Sequence, residues 1–173
     1  MKIVAPPLND KIVMSLKAGD EVLITGAVYG ARDAAHKRML AELEQGKGFP
    51  FLLEGQIIYY VGPCPAPPGK AIGSAGPTTS GRMDSYTPIL LAFGLKGMIG
   101  KGQRRQEVVD AMIEHKAVYF AAVGGAGAYL SKTVTKVEYV AYKELGPEAL
   151  VKMELVRFPC FVAIDARGNS LYS

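Results

Sequence analysis

Between residues 56 and 132 the chain alternates short apolar runs with helix-forming stretches, and after residue 134 it is nearly all strand. That order constrains the fold most. Residues 56–61 (QIIYYV), 97–100 (GMIG) and 117–123 (AVYFAAV) are bulky or β-branched and read as strands. Residues 85–94, 106–115 and 128–132 read as helices, with Pro88 suited to a first turn. Residues 134–142 alternate apolar and polar, the pattern of a half-exposed strand. A helical turn at 145–150, strands at 151–158 and 161–164, and a hairpin-type turn at 165–169 (DARGN) follow. Upstream, residues 20–25 (DEVLIT) predict a strand, 26–30 a glycine-bounded turn, and 31–45 a helix closed by Gly46. The alternation predicts a mixed α/β domain of β-layers with packed helices, not a simple doubly wound sheet.

The 173 residues suit one domain, 1–173, large enough to bury a core. No apolar run approaches the roughly 18 residues of a membrane span. The first residues lack the apolar stretch of a secretory signal, so a cytoplasmic location is expected. A net charge of +4, scattered along the chain, gives no basic tract for nucleic acid and suits a small acidic substrate. The two cysteines, Cys64 and Cys160, match no metal spacing and cannot supply the three or four thiolates of an iron–sulfur cluster. The proline-dense segment 62–69 (GPCPAPPG) predicts a stiff, extended loop.

Polar groups at turns carry the candidate chemistry. The run Gly76-Pro77-Thr78-Thr79-Ser80-Gly81-Arg82-Met83-Asp84 packs three hydroxyls and an arginine ahead of a helical stretch. Thr79 or Ser80 is placed to cap that helix, and a helix N-terminus favours an anion. Arg82 can grip a carboxylate with two parallel bonds. An ordinary capped turn with a solvated arginine is the other reading. Arg32 and His36, four apart, share a helix face, and Arg32 opposes the dipole at the helix start. His36 is equally readable as a satisfied core residue. Lys101 sits between Gly100 and Gly102, and Gly124-Gly125-Ala126-Gly127 could line a pocket or simply turn. Arg32, Arg82 and Lys101 together are about what a dicarboxylate needs. Arg104 and Arg105 are expected to face solvent or a partner.

Five segments together resemble the β subunit, or C-terminal catalytic domain, of the class I iron–sulfur fumarate hydratase and tartrate dehydratase family. They are Ala31-Arg32-Asp33-Ala34-Ala35-His36; Ile57, Tyr59, Tyr60, Gly62 and Pro63; Gly73 and Ala75 through Asp84; Gly100-Lys101-Gly102; and Glu144-Leu145-Gly146. The resemblance implies a swivelling β/β/α domain. It implies reversible hydration of fumarate to (S)-malate, with a 4Fe–4S cluster held by a separate, cysteine-bearing α subunit in a heterotetramer. By motif, Thr78 resembles the proton-abstracting base. Arg32, Arg82 and Lys101 resemble the cations on the substrate carboxylates, and Thr79 and Gly81 shape the same pocket. Asp33, His36 and Asp84 resemble residues that orient the others, with Asp84 placed to pair with a nearby arginine. The motif residues resemble the fumarate enzymes more than the tartrate ones. A tartrate or related hydroxy-acid dehydratase β subunit is the alternative, and a non-catalytic assembly or dicarboxylate-binding domain is a third reading.

Overall fold

The computed structural model describes residues 1–61, 76–122 and 127–172. Cys64, the 62–69 loop, Gly73, Ala75 and residues 124–126 of the glycine turn lie outside them. The strands are β1 (Lys2–Val4), β2 (Glu21–Gly30), β3 (Ile57–Tyr59), β4 (Gly97–Gly100), β5 (Val118–Ala121), β6 (Val134–Ala141) and β7 (Leu150–Ile164). The helices are α1 (Asp10–Ser15), α2 (Asp33–Glu44), α3 (Thr87–Ala92), α4 (Gln106–His115) and α5 (Gly127–Leu130). Short 3₁₀ turns cover Ser80–Met83, Ser131–Thr133 and Lys143–Glu148. The mixed α/β expectation holds: a sheet with several helices packed on it.

The sheet runs in the order β1-β2-β3-β4-β5-β7-β6, and β2 also pairs with β7. Strands β1 to β5 are mutually parallel where they pair, whereas β7 runs antiparallel to β2, β5 and β6. Because β2 bonds to both β3 and β7, the strands β2, β3, β4, β5 and β7 form a closed circuit. The two-residue period of the short strands then sorts side chains to two faces. Ile57, Tyr59, Ile99, Val118 and Phe120 join Val28, Met153 and Phe158 in one apolar cluster, with Val13 and Leu16 of the α1 region. Ile58, Tyr60, Met98 and Tyr119 join Met39, Leu90 and Met112 of the helices in the other. The parallel strands are thus buried on both faces, which explains their nearly continuous apolar sequence.

Several local expectations change. Residues 26–30 are not a turn: β2 runs on to Gly30, and Gly26, at φ +129°, accommodates a bulge against β7 between Ile24 and Gly26. The two C-terminal strands are one, β7, continuing through Arg157 and Pro159. Pro159 falls between Leu155 and Phe161, the stretch where only the β2-facing edge of β7 is paired, so its missing N–H costs no ladder bond on the other edge. Helix α2 starts at Asp33 because the backbone before it is still extended, with the Ala31 N–H on Tyr59 O at 3.0 Å and Arg32 at φ −120° and ψ −149°; Gly46, at φ +83°, follows its C-cap Gln45. Both β1 and α1 were too short to leave a periodic signal. Asn9 caps α1, accepting from Ile12 N–H at 2.8 Å. Among the described residues no helix is long and apolar enough to cross a membrane.

Candidate active site at the carboxyl ends of the parallel strands

Parallel α/β sheets leave their ligand crevice at the carboxyl ends of the strands. Here that edge carries every motif of the central segment. The loop at 77–80 is stitched between the ends of β3 and β4. Thr78 N–H donates to Tyr60 O at 2.7 Å, Lys101 N–H to Thr78 O at 3.3 Å, and Ser80 N–H to Lys101 O at 2.9 Å. Thr79 and Lys101 form a parallel bridge, and Val61 bridges Pro77. The loop can descend this far because residue 100 is glycine. A Cβ there would collide with the Ser80 hydroxyl and come within 2.8 Å of the Tyr60 ring.

The three adjacent hydroxyls have different fates. Ser80 is buried and bonded to Tyr119 Oη at 2.7 Å. The Thr78 and Thr79 hydroxyls make no hydrogen bond among the described residues; Thr78 is buried and Thr79 exposed. Neither Thr79 nor Ser80 caps a helix as expected. The segment Ser80–Met83 is a short 3₁₀ turn without a side-chain cap, and the Ser80 N–H already serves the strand ladder. The helix-terminus argument for an anion therefore fails at this loop, and the charges must come from side chains.

Those side chains come from segments joined to this loop: Lys101 bridges Thr79 through the backbone, and Arg82 links the loop to the start of α2, which Arg32 caps. Lys101 is exposed and pairs with no carboxylate among the described residues. Arg32 is the N-cap of α2; its Nε is buried without a hydrogen-bond partner, and Glu148 Oε1 stands 3.6 Å away. The same Glu148 oxygen accepts from Ala34 N–H at 3.1 Å. Arg82 bonds Asp33 through Nε and Nη2, at 3.0 and 2.9 Å, so the loop is joined to the start of α2. A methyl group at Gly81 would meet Gln103 O at 3.8 Å and Asp84 Oδ2 at 3.9 Å, so no contact among the described residues demands glycine there.

Beneath the loop lies a buried polar network. Arg104 Nε donates to Asp84 Oδ1 at 2.6 Å, and Arg104 Nη2 donates to Tyr60 Oη and Thr87 Oγ1, each at 3.0 Å. The second Asp84 oxygen accepts from Arg105 N–H at 2.9 Å. Burial works against the Arg104 charge, but Tyr60 and Asp84 more than offset it and hold its pKa above the usual arginine value. Asp84 thus finds the arginine foreseen for it, but the expectation that Arg104 faces solvent or a partner is overturned: its side chain is fully buried. An unpaired Asp84 in that position would be far more costly. Arg105 does face solvent. His36 is fully buried, with both its backbone N–H and Nδ1 on Arg32 O, at 3.0 and 2.8 Å. Because a carbonyl only accepts, Nδ1 carries the proton. Burial lowers its pKa to about 4, so the ring is neutral near pH 7.

The chain matches the family model of the fumarase C-terminus over residues 3–173. The chain belongs to the fumarase C-terminus family. It is 38% identical over 169 residues to fumarate hydratase 2 of Leishmania major, covering 95% of this chain and 30% of that protein. It is 40% identical over 151 residues to the aerobic class I fumarate hydratase of Escherichia coli, covering 86% of this chain and 28% of the relative. A putative L(+)-tartrate dehydratase subunit β of Methanocaldococcus jannaschii is 37% identical over 171 residues, covering 95% of this chain and 88% of the relative. The chain therefore spans under a third of the fumarate hydratases it matches. Membership of this fumarase family bears out the resemblance read from the motifs.

The described residues do not fit a cluster. No three His, Cys, Asp or Glu gather where they could hold a metal. Cys160 is a free thiol buried in the apolar cluster of β2 and β7, its pKa pushed up by burial, which opposes the thiolate a metal needs. Sequence reading missed Glu148 and Tyr119. Glu148 lies 114 residues from the Ala34 it bonds, and no local pattern connects them. Tyr119 looked like one more apolar residue of a buried strand.

Proposed function

We propose that the chain is the β-subunit-type part of a class I fumarate hydratase, catalysing reversible hydration of fumarate to (S)-malate in the cytoplasm. Residues 1–173 form one domain of swivelling β/β/α type that works with a cysteine-bearing α subunit, as a heterotetramer. One observation supports the reading: Thr78 and Thr79, whose hydroxyls make no hydrogen bond among the described residues, stand at the strand ends on a loop bridged to Lys101 and joined through Arg82–Asp33 to the helix start that Arg32 caps. Relatives named for fumarate hydration support it.

A dicarboxylate suits this arrangement. Arg32 and Arg82 take one carboxylate each, with Glu148 and Asp33 fixing how the two guanidinium groups face. In the dehydration direction Thr78, as its alkoxide, accepts the proton from the carbon beside a carboxylate. The electron pair of that C–H bond passes into the carboxylate as an aci-dianion. It then forms the C=C bond as hydroxide leaves the neighbouring carbon. Lys101 and the arginines stabilise the dianion and lower the cost of the alkoxide. Thr79 and Gly81 shape the pocket wall, His36 holds the Arg32 backbone, and Asp84 anchors the loop. The 4Fe–4S cluster belongs to the α subunit and supplies Lewis-acid chemistry.

The test is co-expression with the cysteine-bearing α chain, anaerobic reconstitution and an absorbance assay for fumarate formed from malate. Turnover that needs both chains and disappears in Thr78→Ala and Arg82→Ala is expected. An assembled complex with an intact cluster and no malate turnover would sink the assignment, and tartrate would be the next substrate assayed.

A further inference from the structure

Thr78 and Lys101 stand on different segments, and the backbone ladder between them is thin. Its closing bond, Lys101 N–H to Thr78 O, is long at 3.3 Å. A buried side chain underneath makes up the difference. The Tyr119 hydroxyl donates to Gly102 O at 2.8 Å. A phenol has one proton, so the Ser80 hydroxyl, 2.7 Å away, must be the donor in their contact. One oxygen therefore ties the threonine loop to the lysine turn. Tyr119 itself is fixed: it is fully buried on β5, and the Arg104 guanidinium lies 4.9 Å from its ring centre. Arg104 and the Arg105 N–H hold the far end of the same loop through Asp84. Both ends of the segment 80–84 are thus bound to the segment 102–105, and Tyr119 sits between them.

We propose that Tyr119 is a positioning residue that sets the distance between the Thr78 hydroxyl and the Lys101 ammonium, acting through Ser80 and Gly102. The role rests on the reading of Thr78 and Lys101 given above. Tyr119 touches no substrate. Lys101 stabilises the Thr78 alkoxide and the dianion, and that stabilisation falls off with distance, so a small slackening of this tie slows the chemical step more than it weakens binding.

The experiment uses Tyr119→Phe, which keeps the ring and removes the tie, and Ser80→Ala, which removes it from the other side. Both are made in the complex with the α subunit. For Tyr119→Phe, kcat is expected to fall about tenfold or more while KM for malate moves by less than about threefold. The primary isotope effect with malate deuterated at the proton-losing carbon should rise. A mere loss of folded enzyme would leave it unchanged. The double variant should be no slower than the slower single one, because both remove the same tie. Amide exchange at Ser80 and Lys101 should quicken in each variant while β2 and β7 stay protected. Wild-type turnover with a Tyr119→Phe variant of unchanged kcat and isotope effect overturns the proposal alone. If the wild-type complex turns over no malate, the functional reading fails instead. The amide data then still decide the tie: unchanged exchange at Ser80 and Lys101 overturns it.

Discussion

Arg82 holds Asp33 in a two-pronged hydrogen bond, Nε to Oδ2 and Nη2 to Oδ1, joining the hydroxyl loop to the first residue of α2. Both side chains are substantially exposed, at 51% and 41%, so the pair contributes at most about 1 kcal/mol to folding. Its value is orientation. Arg82→Lys keeps the charge and loses the fork. The unfolding midpoint should hardly move, while KM for malate should rise about tenfold, as expected for one lost charge-assisted contact. Steady-state kinetics beside a urea titration would separate the two. A shifted midpoint with normal KM would make the pair structural.

The Asp84–Arg104 pair is the opposite case. It is fully buried, and removing one partner strands the other. Arg104→Met should cost about 3 to 5 kcal/mol, the usual penalty for an uncompensated buried charge. Urea unfolding of the purified chain reads this directly. A loss under about 1 kcal/mol would mean that Asp84 is neutralised or solvated in the variant.

His36 makes a pH prediction. Its pKa falls from 6.5 in the unfolded chain to about 4 in the folded one, chiefly through burial. Between those values the unfolded state binds more protons, so stability rises with pH there. The neutral ring's contribution is whole above about 6.5 and is lost as pH falls towards 4, by roughly 3 kcal/mol. Asp20 and Asp165 act in a lower window. Hydrogen bonding from Lys2 lowers the first; for the second, burial raises it but bonds from Ala18, Arg167 and Asn169 win. Their contributions are lost only as pH drops below the ordinary carboxylate value of 3.8. His36→Asn, which can still donate to Arg32 O, should flatten the loss between 6.5 and 4 and leave the more acidic one. An unaltered profile in that variant would place the titration elsewhere.

Two glycines in the site should respond differently to alanine. At Gly100 the new methyl meets Ser80 and the Tyr60 ring, so Gly100→Ala should destabilise by about 1 to 3 kcal/mol through overpacking and push the loop outward. At Gly81 the new methyl meets nothing closer than 3.8 Å among the described residues. Gly81→Ala should fold normally and lose turnover only if substrate occupies that space. Thermal unfolding and kinetics of both variants check the contrast. Normal turnover in Gly81→Ala would remove Gly81 from the substrate pocket.

Much of the site was legible locally. Pro77, Gly81 and Arg82 marked the loop, Gly100 and Gly102 marked the close-packed lysine turn, and QIIYYV, GMIG and AVYFAAV each became a strand or its edge. What escaped had no short-range signature. The bulge at Gly26 looked like a turn, because a glycine that bends a strand and one that ends it leave the same mark until the partner strand is known. Arg104 and Arg105 are adjacent and chemically alike. One is buried on Asp84 and the other solvated, a choice made by which side of the β4–α4 connection meets Tyr60 and Tyr119.

By itself the sequence determined the α/β alternation, the family, a hydroxyl-rich loop carrying Arg82, and cations at two other turns, because periodicity, turn chemistry and motif spacing are local properties. Only the tertiary structure decided which hydroxyls are free and which arginine is buried. It also decided that Glu148 reaches Arg32 and that Tyr119 joins the two halves of the site. Those relations depend on β2 pairing with both β3 and β7, which closes the strand circuit and brings distant segments to one edge. Hydrogen bonds between residues far apart in the chain exist only once that closure has paid their entropy of approach.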